Sequence, residues 1–142
     1  MSVQSTKQNP FHGWLVLYLN FIGYVSLLAF GAAVMPSSWM ITTADALGVE
    51  LADLPLSFYL ARNLSLLYGF VGATLLVITH DMSRYGSLVW FVARGTLLLG
   101  VLQLVANSMS GLPIWWTLGE SVSTFCGGLL MWWLDRRAHQ DD

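Results

Sequence analysis

Four apolar stretches dominate the chain, each close to the roughly 20 residues that a helix needs to cross a bilayer. They run over 14–35, 58–79, 88–109 and 114–134. No other feature limits the fold as much. With 142 residues, 56% of them hydrophobic and 10% charged, the chain has too much surface for its volume to hide its apolar groups from water. Soluble domains carry about 25% charged residues. The mean hydropathy of +0.62 agrees with lipid as part of the solvent. The expected fold is all-α, a polytopic membrane protein built as an antiparallel bundle of four transmembrane helices in a single domain over 1–142.

The punctuation supports this. Pro36 follows the first stretch and Pro113 precedes the fourth, both natural helix boundaries. Only "SGLP" separates the last two stretches, and "HDMSRYGS" joins the second to the third. Both connections are short enough to force antiparallel neighbours. The one long connection, 36–57, can hold a short helix capped by Ser37 or Ser38 and reaching about Leu47. Trp39 would then sit at the lipid–water interface, and the segment reads as lying on the bilayer, with a functional lid as the alternative.

Cations give the orientation. Lys7, Arg84, Arg136 and Arg137 fall before the first stretch, between the second and third, and after the fourth. The other two connections have no Lys or Arg, and Asp45, Glu50 and Asp53 make the long one acidic. The positive-inside rule then predicts both termini in the cytoplasm and the 36–57 connection outside. The small residues of "AFGAA" at 29–33 also suit a signal-peptidase site. The apolar run before them exceeds a usual signal core, which favours retention as a first span.

Several functions find no support. A net charge of -2 leaves no basic footprint for nucleic acid. One cysteine, Cys126, allows no internal disulfide, and its apolar surroundings predict a small buried hydrophobe. His12, His80 and His139 fall at or beyond the ends of the stretches. A haem held by two histidines or a polyhistidine metal centre therefore lacks ligands within the membrane.

What remains is polar chemistry inside the stretches. Arg62, Arg94 and Glu120 each cost about 2.5–3.5 kcal/mol at mid-helix on insertion scales, and less near the ends. At 1.5 Å per residue, Arg62 lies about 6 Å and Glu120 about 9 Å below the outer membrane boundary. Gln103 and Asn107 fall at a similar level, and Asn63 adjoins Arg62. The runs Ala61-xxx-Ser65-xxx-Gly69-xxx-Ala73 and Gly119-xxx-Ser123-xxx-Gly127 mark faces on which helices pack closely in lipid. Because Arg62 and Glu120 sit on or beside those faces, the expectation is a pair across the bundle within an intramembrane polar cluster of Arg62, Asn63, Gln103, Asn107 and Glu120. Two readings stay open. One is structural, an ion pair or separate snorkelling to the interface. The other is a polar pocket, with Arg62 as an anion or carbonyl anchor and Glu120 as a proton-exchanging carboxylate.

The inner side carries a second set. Arg94 lies at the level of Asn20 and leans toward the cytoplasmic side, so it can snorkel or reach Asn20, Asp81 or Asp135. Asp81 and Arg84 can pair within a polar turn beside Tyr85. Tryptophans at both ends of the fourth stretch suit interfacial anchoring.

"YLARNLSLLYG" at 59–69, "DMSRYG" at 81–86 and "PIWWTLGE" at 113–120 resemble the small four-helix membrane proteins of the BphX-like and DoxX-like types. That resemblance implies a bacterial inner-membrane protein, in the BphX-like case associated with degradation of aromatic compounds. The DoxX-like side implies quinone-linked redox work. The residues themselves supply no cofactor motif. The expected role is a non-enzymatic accessory or transport-related component, able to self-associate through its small-residue faces. The alternative is a redox subunit holding a quinone or lipid-like molecule near Arg62, Gln103 and Glu120.

Overall fold

A computed structural model describes residues 10–49, 51–111 and 113–139. Among these the chain is helical without strands. The helices are α1 (Pro10–Leu27), α2 (Ala29–Ala33), α3 (Ser37–Ala46), α4 (Pro55–His80), α5 (Met82–Met109) and α6 (Ile114–Ala138). α2 continues α1 after a tightened turn at Leu28, where Leu28 N–H donates to the Val25 carbonyl and Gly31 N–H to that of Leu28. Three segments are long and apolar enough to cross a membrane: Pro10–Ala33, Pro55–His80 and Met82–Met109. α6 is about 37 Å long at 1.5 Å per residue, but its tryptophans, Glu120 and many Ser, Thr and Gly residues make it less apolar. The described chain thus has three segments meeting that criterion where four were expected.

Three helix starts fall earlier than expected, that of α1 at Pro10 rather than Trp14 among them. α4 starts at Pro55 rather than Phe58, because Leu54 is extended and proline suits the first helical position. α5 starts at Met82, well before Leu88, because Asp81 caps it. The Asp81 carboxylate accepts from Arg84 N–H at 3.2 Å and from the Ser83 hydroxyl at 2.6 Å. The link between α4 and α5 shrinks to Asp81 alone. α3 matches its expected extent, but Ser37 and Ser38 lie inside it, and Pro36 precedes it without a side-chain cap.

The long helices form a ring. α1 packs between α4 and α6, and α6 between α1 and α5. α4 and α5 close it with the smallest of these four interfaces, although one residue joins them. Glycines set the close approaches. A Cβ on Gly72 would meet the Gly23 carbonyl at 2.6 Å and Leu27 N at 2.8 Å. One on Gly100 would meet Phe125 N at 2.8 Å, and one on Gly128 would meet Leu97 N at 2.8 Å. The α4 packing face holds at Gly69, which lies against the Phe30 ring. The expected α6 face does not. Gly119 and Ser123 are exposed, and the buried seam runs through Thr117, Ser121 and Gly128 instead. The α5 backbone approaches α6 closely at Gly128, and that turns the stripe of Gly119 and Ser123 outward.

The packed core gathers at one end: Leu15, Leu19, Leu75, Ile78, Val89, Ala93, Met131 and Leu134. There α1 begins, α4 ends, α5 begins and α6 ends; it is called below the Asp81 end, opposite the α3 end. Elsewhere large apolar side chains point out, with Phe21, Phe70, Phe91 and Leu98 between 60% and 66% exposed. Cys126 is also exposed, on this outward surface rather than buried as expected. A surface this apolar suits lipid and not water.

Candidate functional site

The polar residues at the α3 end separate into two groups. Gln103 and Asn107 are four residues apart on α5, so their side chains stack on one face. The register set by Gly100 against Phe125 brings that face to Glu120 of α6. Glu120 Oε1 accepts from Gln103 Nε2 at 3.3 Å, and Oε2 accepts from Asn107 Nδ2 at 3.0 Å. Both carboxylate oxygens are thus held by neutral donors, and among the described residues no cation pairs with the charge. Gln103 Oε1 points into the protein with no hydrogen-bond partner, as does the Ser121 hydroxyl one residue beyond Glu120. The Tyr68 phenol of α4 lies within electrostatic reach of Glu120.

Arg62 belongs to the other group. Its Nη2 donates to the Met35 carbonyl at 3.2 Å and to the Ser37 hydroxyl at 3.2 Å. Met35 follows α2, where carbonyls lack helical partners and the helix dipole is negative, so a guanidinium fits there. The expected Arg62–Glu120 pair does not form. A backbone carbonyl competes for the arginine, and two amides satisfy the carboxylate. Asn63 also stands apart, donating to the Tyr59 carbonyl of its own helix at 2.8 Å.

The Asp81 end rearranges the remaining candidates. Asn20 accepts from the Thr79 hydroxyl at 2.8 Å, joining α1 to α4, and does not engage Arg94. Arg94 instead lies over the Trp90 ring at 3.9 Å from its centroid, one turn nearer the Asp81 end, which matches the snorkelling reading. Arg84 offers Asp81 its backbone N–H, while its guanidinium lies 5.7 Å over Tyr85. The hydrogen bonds to Asp81 hold its carboxyl below the usual range, with Ser83 contributing most and Arg84 N–H next.

Sequence reasoning named Asp135 only as a possible partner of Arg94 and missed two contacts. The Tyr18 hydroxyl donates to the Gly127 carbonyl at 2.9 Å, tying α1 to α6. Asp135 is buried at 6% exposure, and His139 sits four residues on, its Nδ1 3.6 Å from Asp135 Oδ1. The i,i+4 spacing of Asp135 and His139 was the available signal. A groove of about 590 Å³ between α1 and α6 is lined by Phe11, Trp14, Leu17 and neighbouring apolar side chains, remote from Glu120. Among the described residues, no group of three or more His, Cys, Asp or Glu could hold a metal ion.

The chain matches no protein-family description, no curated protein and no solved structure.

Proposed function

We propose that the chain is a four-span, non-enzymatic component of a bacterial inner membrane, transport-related, with Glu120 as its working carboxylate. The observation that carries this reading is that Glu120 is fixed by Gln103 and Asn107 yet has no positive partner among the described residues. A carboxylate at membrane depth without a counter-charge attracts a cation, because pairing removes the cost of the bare charge. The amides hold the oxygens in place without neutralising them. The packing of α6 between α1 and α5 supports its place as the fourth span. The distribution of Lys7, Arg84, Arg136 and Arg137 supports cytoplasmic termini. A second copy packing on the exposed Gly119 and Ser123 of α6 would supply the wall that four helices lack around a central pathway.

The test is flux in liposomes. Wild-type protein moves protons or a monovalent cation down an imposed gradient, and Glu120→Gln removes most of that flux while the protein stays folded. Equal flux in wild type and variant overturns the reading.

One observation favours a second reading. The unpartnered Gln103 Oε1, buried beside Glu120, is one acceptor that a quinol hydroxyl would meet after a small side-chain shift, in line with a DoxX-like redox role. A quinone that co-purifies with wild type, detected by absorbance and mass spectrometry, and is lost in Glu120→Gln would support it.

A further inference from the structure

A second polar recess lies at the Asp81 end, far along α6 from Glu120. The contacts of Gly100 with Phe125 and Gly128 with Leu97 fix the antiparallel register of α5 and α6. The same register carries Trp90 to the level of Asp135, where the apolar run of α6 ends. A cavity of about 430 Å³ opens there, lined by Trp90, Arg94, Trp132, Asp135, Arg136 and His139. A neighbouring recess of about 320 Å³ shares three of these residues and adds Gly86 and Ser87.

The charges in this cavity are unbalanced. Arg94 stacks on Trp90 at 3.9 Å and Arg136 lies 5.3 Å over Trp132, so both guanidiniums are held over rings rather than left to wander. Among the described residues neither pairs with a carboxylate, although Asp135 is on the same wall. Asp135 is turned inward, with Oδ1 lacking a hydrogen-bond partner among the described residues and His139 Nδ1 3.6 Å away. Arginine stacked on an aromatic ring keeps its edge N–H donors free for planar or tetrahedral oxyanions. The two tryptophans and the end of the apolar run place the cavity at headgroup depth.

We propose that this cavity binds a phosphate group through Arg94 and Arg136, with an anionic phospholipid headgroup as its natural source and free phosphate as the other. Arg94, reaching up from within the apolar run, contacts the phosphate from the membrane side, and Arg136 from the surface side. Ser87 in the adjoining recess offers a hydroxyl to the glycerol or headgroup oxygens. Burial raises the Asp135 carboxyl above its usual range, against a smaller lowering by His139.

Native mass spectrometry of the full chain in detergent tests this, with phosphatidylglycerol, phosphatidylcholine and inorganic phosphate as probes. Wild type retains phosphatidylglycerol in preference to phosphatidylcholine. The double substitution Arg94→Gln with Arg136→Gln weakens that retention about a hundredfold, the value of two lost charge-assisted bonds. Arg84→Gln is the control, a cation at the same end that lines a different recess, and it changes retention less than twofold. Equal losses in the control and the double variant, or no preference for the anionic lipid, overturn the proposal. If the double variant does not fold, the exposed Arg136→Gln carries the test alone: a severalfold loss upholds the site and an unchanged affinity overturns it. Displacement of the lipid by inorganic phosphate assigns the site to the phosphate group alone, whereas its failure assigns the site to the whole lipid.

Discussion

Arg62 and Glu120 show how one sequence pattern can hide two separate jobs. Arg62 closes the corner between α2 and α3 by binding Met35 and Ser37, while Glu120 is held by amides from α5. Arg62→Leu should therefore cost about 1–3 kcal/mol, the price of leaving a helix-end carbonyl unpaired. Combined with Glu120→Gln, the losses should add to within about 0.5 kcal/mol, as expected for groups without a shared contact. Thermal unfolding of both single variants and the double in detergent measures this; strong coupling would restore the ion pair. Asp81 supplies a pH test. Its carboxyl is held low in the folded chain by Ser83 and Arg84 N–H, so its stabilisation is present above the unfolded value of about 3.9. It is lost as pH falls through the lower folded value. Asp81→Ala should melt earlier than wild type at neutral pH, with the gap closing in acid; a constant gap would refute the assignment. The sequence showed that Glu120, Gln103 and Asn107 share a level, and the structure brings them together. It hid the partner of Arg62, because a backbone carbonyl carries no residue signature.

At the scale of elements, glycines decide which helices meet. Gly72→Ala and Gly100→Ala would press a methyl into opposing backbone that cannot rotate away. Each should destabilise the bundle by about 1–3 kcal/mol. Gly95→Ala has open space around its Cβ and should be neutral or stabilising by up to about 1 kcal/mol through helix propensity. Parallel melting curves check the contrast, and similar losses at all three positions would contradict the packing described. The long helices were legible in the sequence because apolar length is a strong signal. Their starts were less so. The "DMSRYG" turn looked like a loop since its Ser and Arg are polar, yet those residues form the first turn of α5 around the Asp81 cap. The α6 seam was misplaced for a related reason: Gly127 and Gly128 are adjacent, and only the position of α5 selects between them.

Across the whole molecule, polar groups divide between the two ends of the bundle. At the α3 end Glu120 is held by amides while Arg62 binds Met35 and Ser37, and at the Asp81 end Arg94 and Arg136 lie over rings while Asp135 shares their wall. The main hydrophobic cluster lies in the second of these halves, while Ala33, Met40 and Phe58 are buried at the first.

The modest hydropathy of α6 also bears on how the protein is made. Thr117 and Ser121 are covered by neighbouring helices in the finished bundle, and on the proposal that α6 is a fourth span, this helix leaving the insertion machinery alone would expose them, with Glu120, to lipid. On that proposal its entry depends on α5 still waiting nearby, so that the last two helices partition together as a hairpin. In a glycosylation-based insertion assay, α6 presented singly should integrate poorly, and α5–α6 presented in tandem should integrate well. Replacing Glu120 with leucine should free α6 from that dependence.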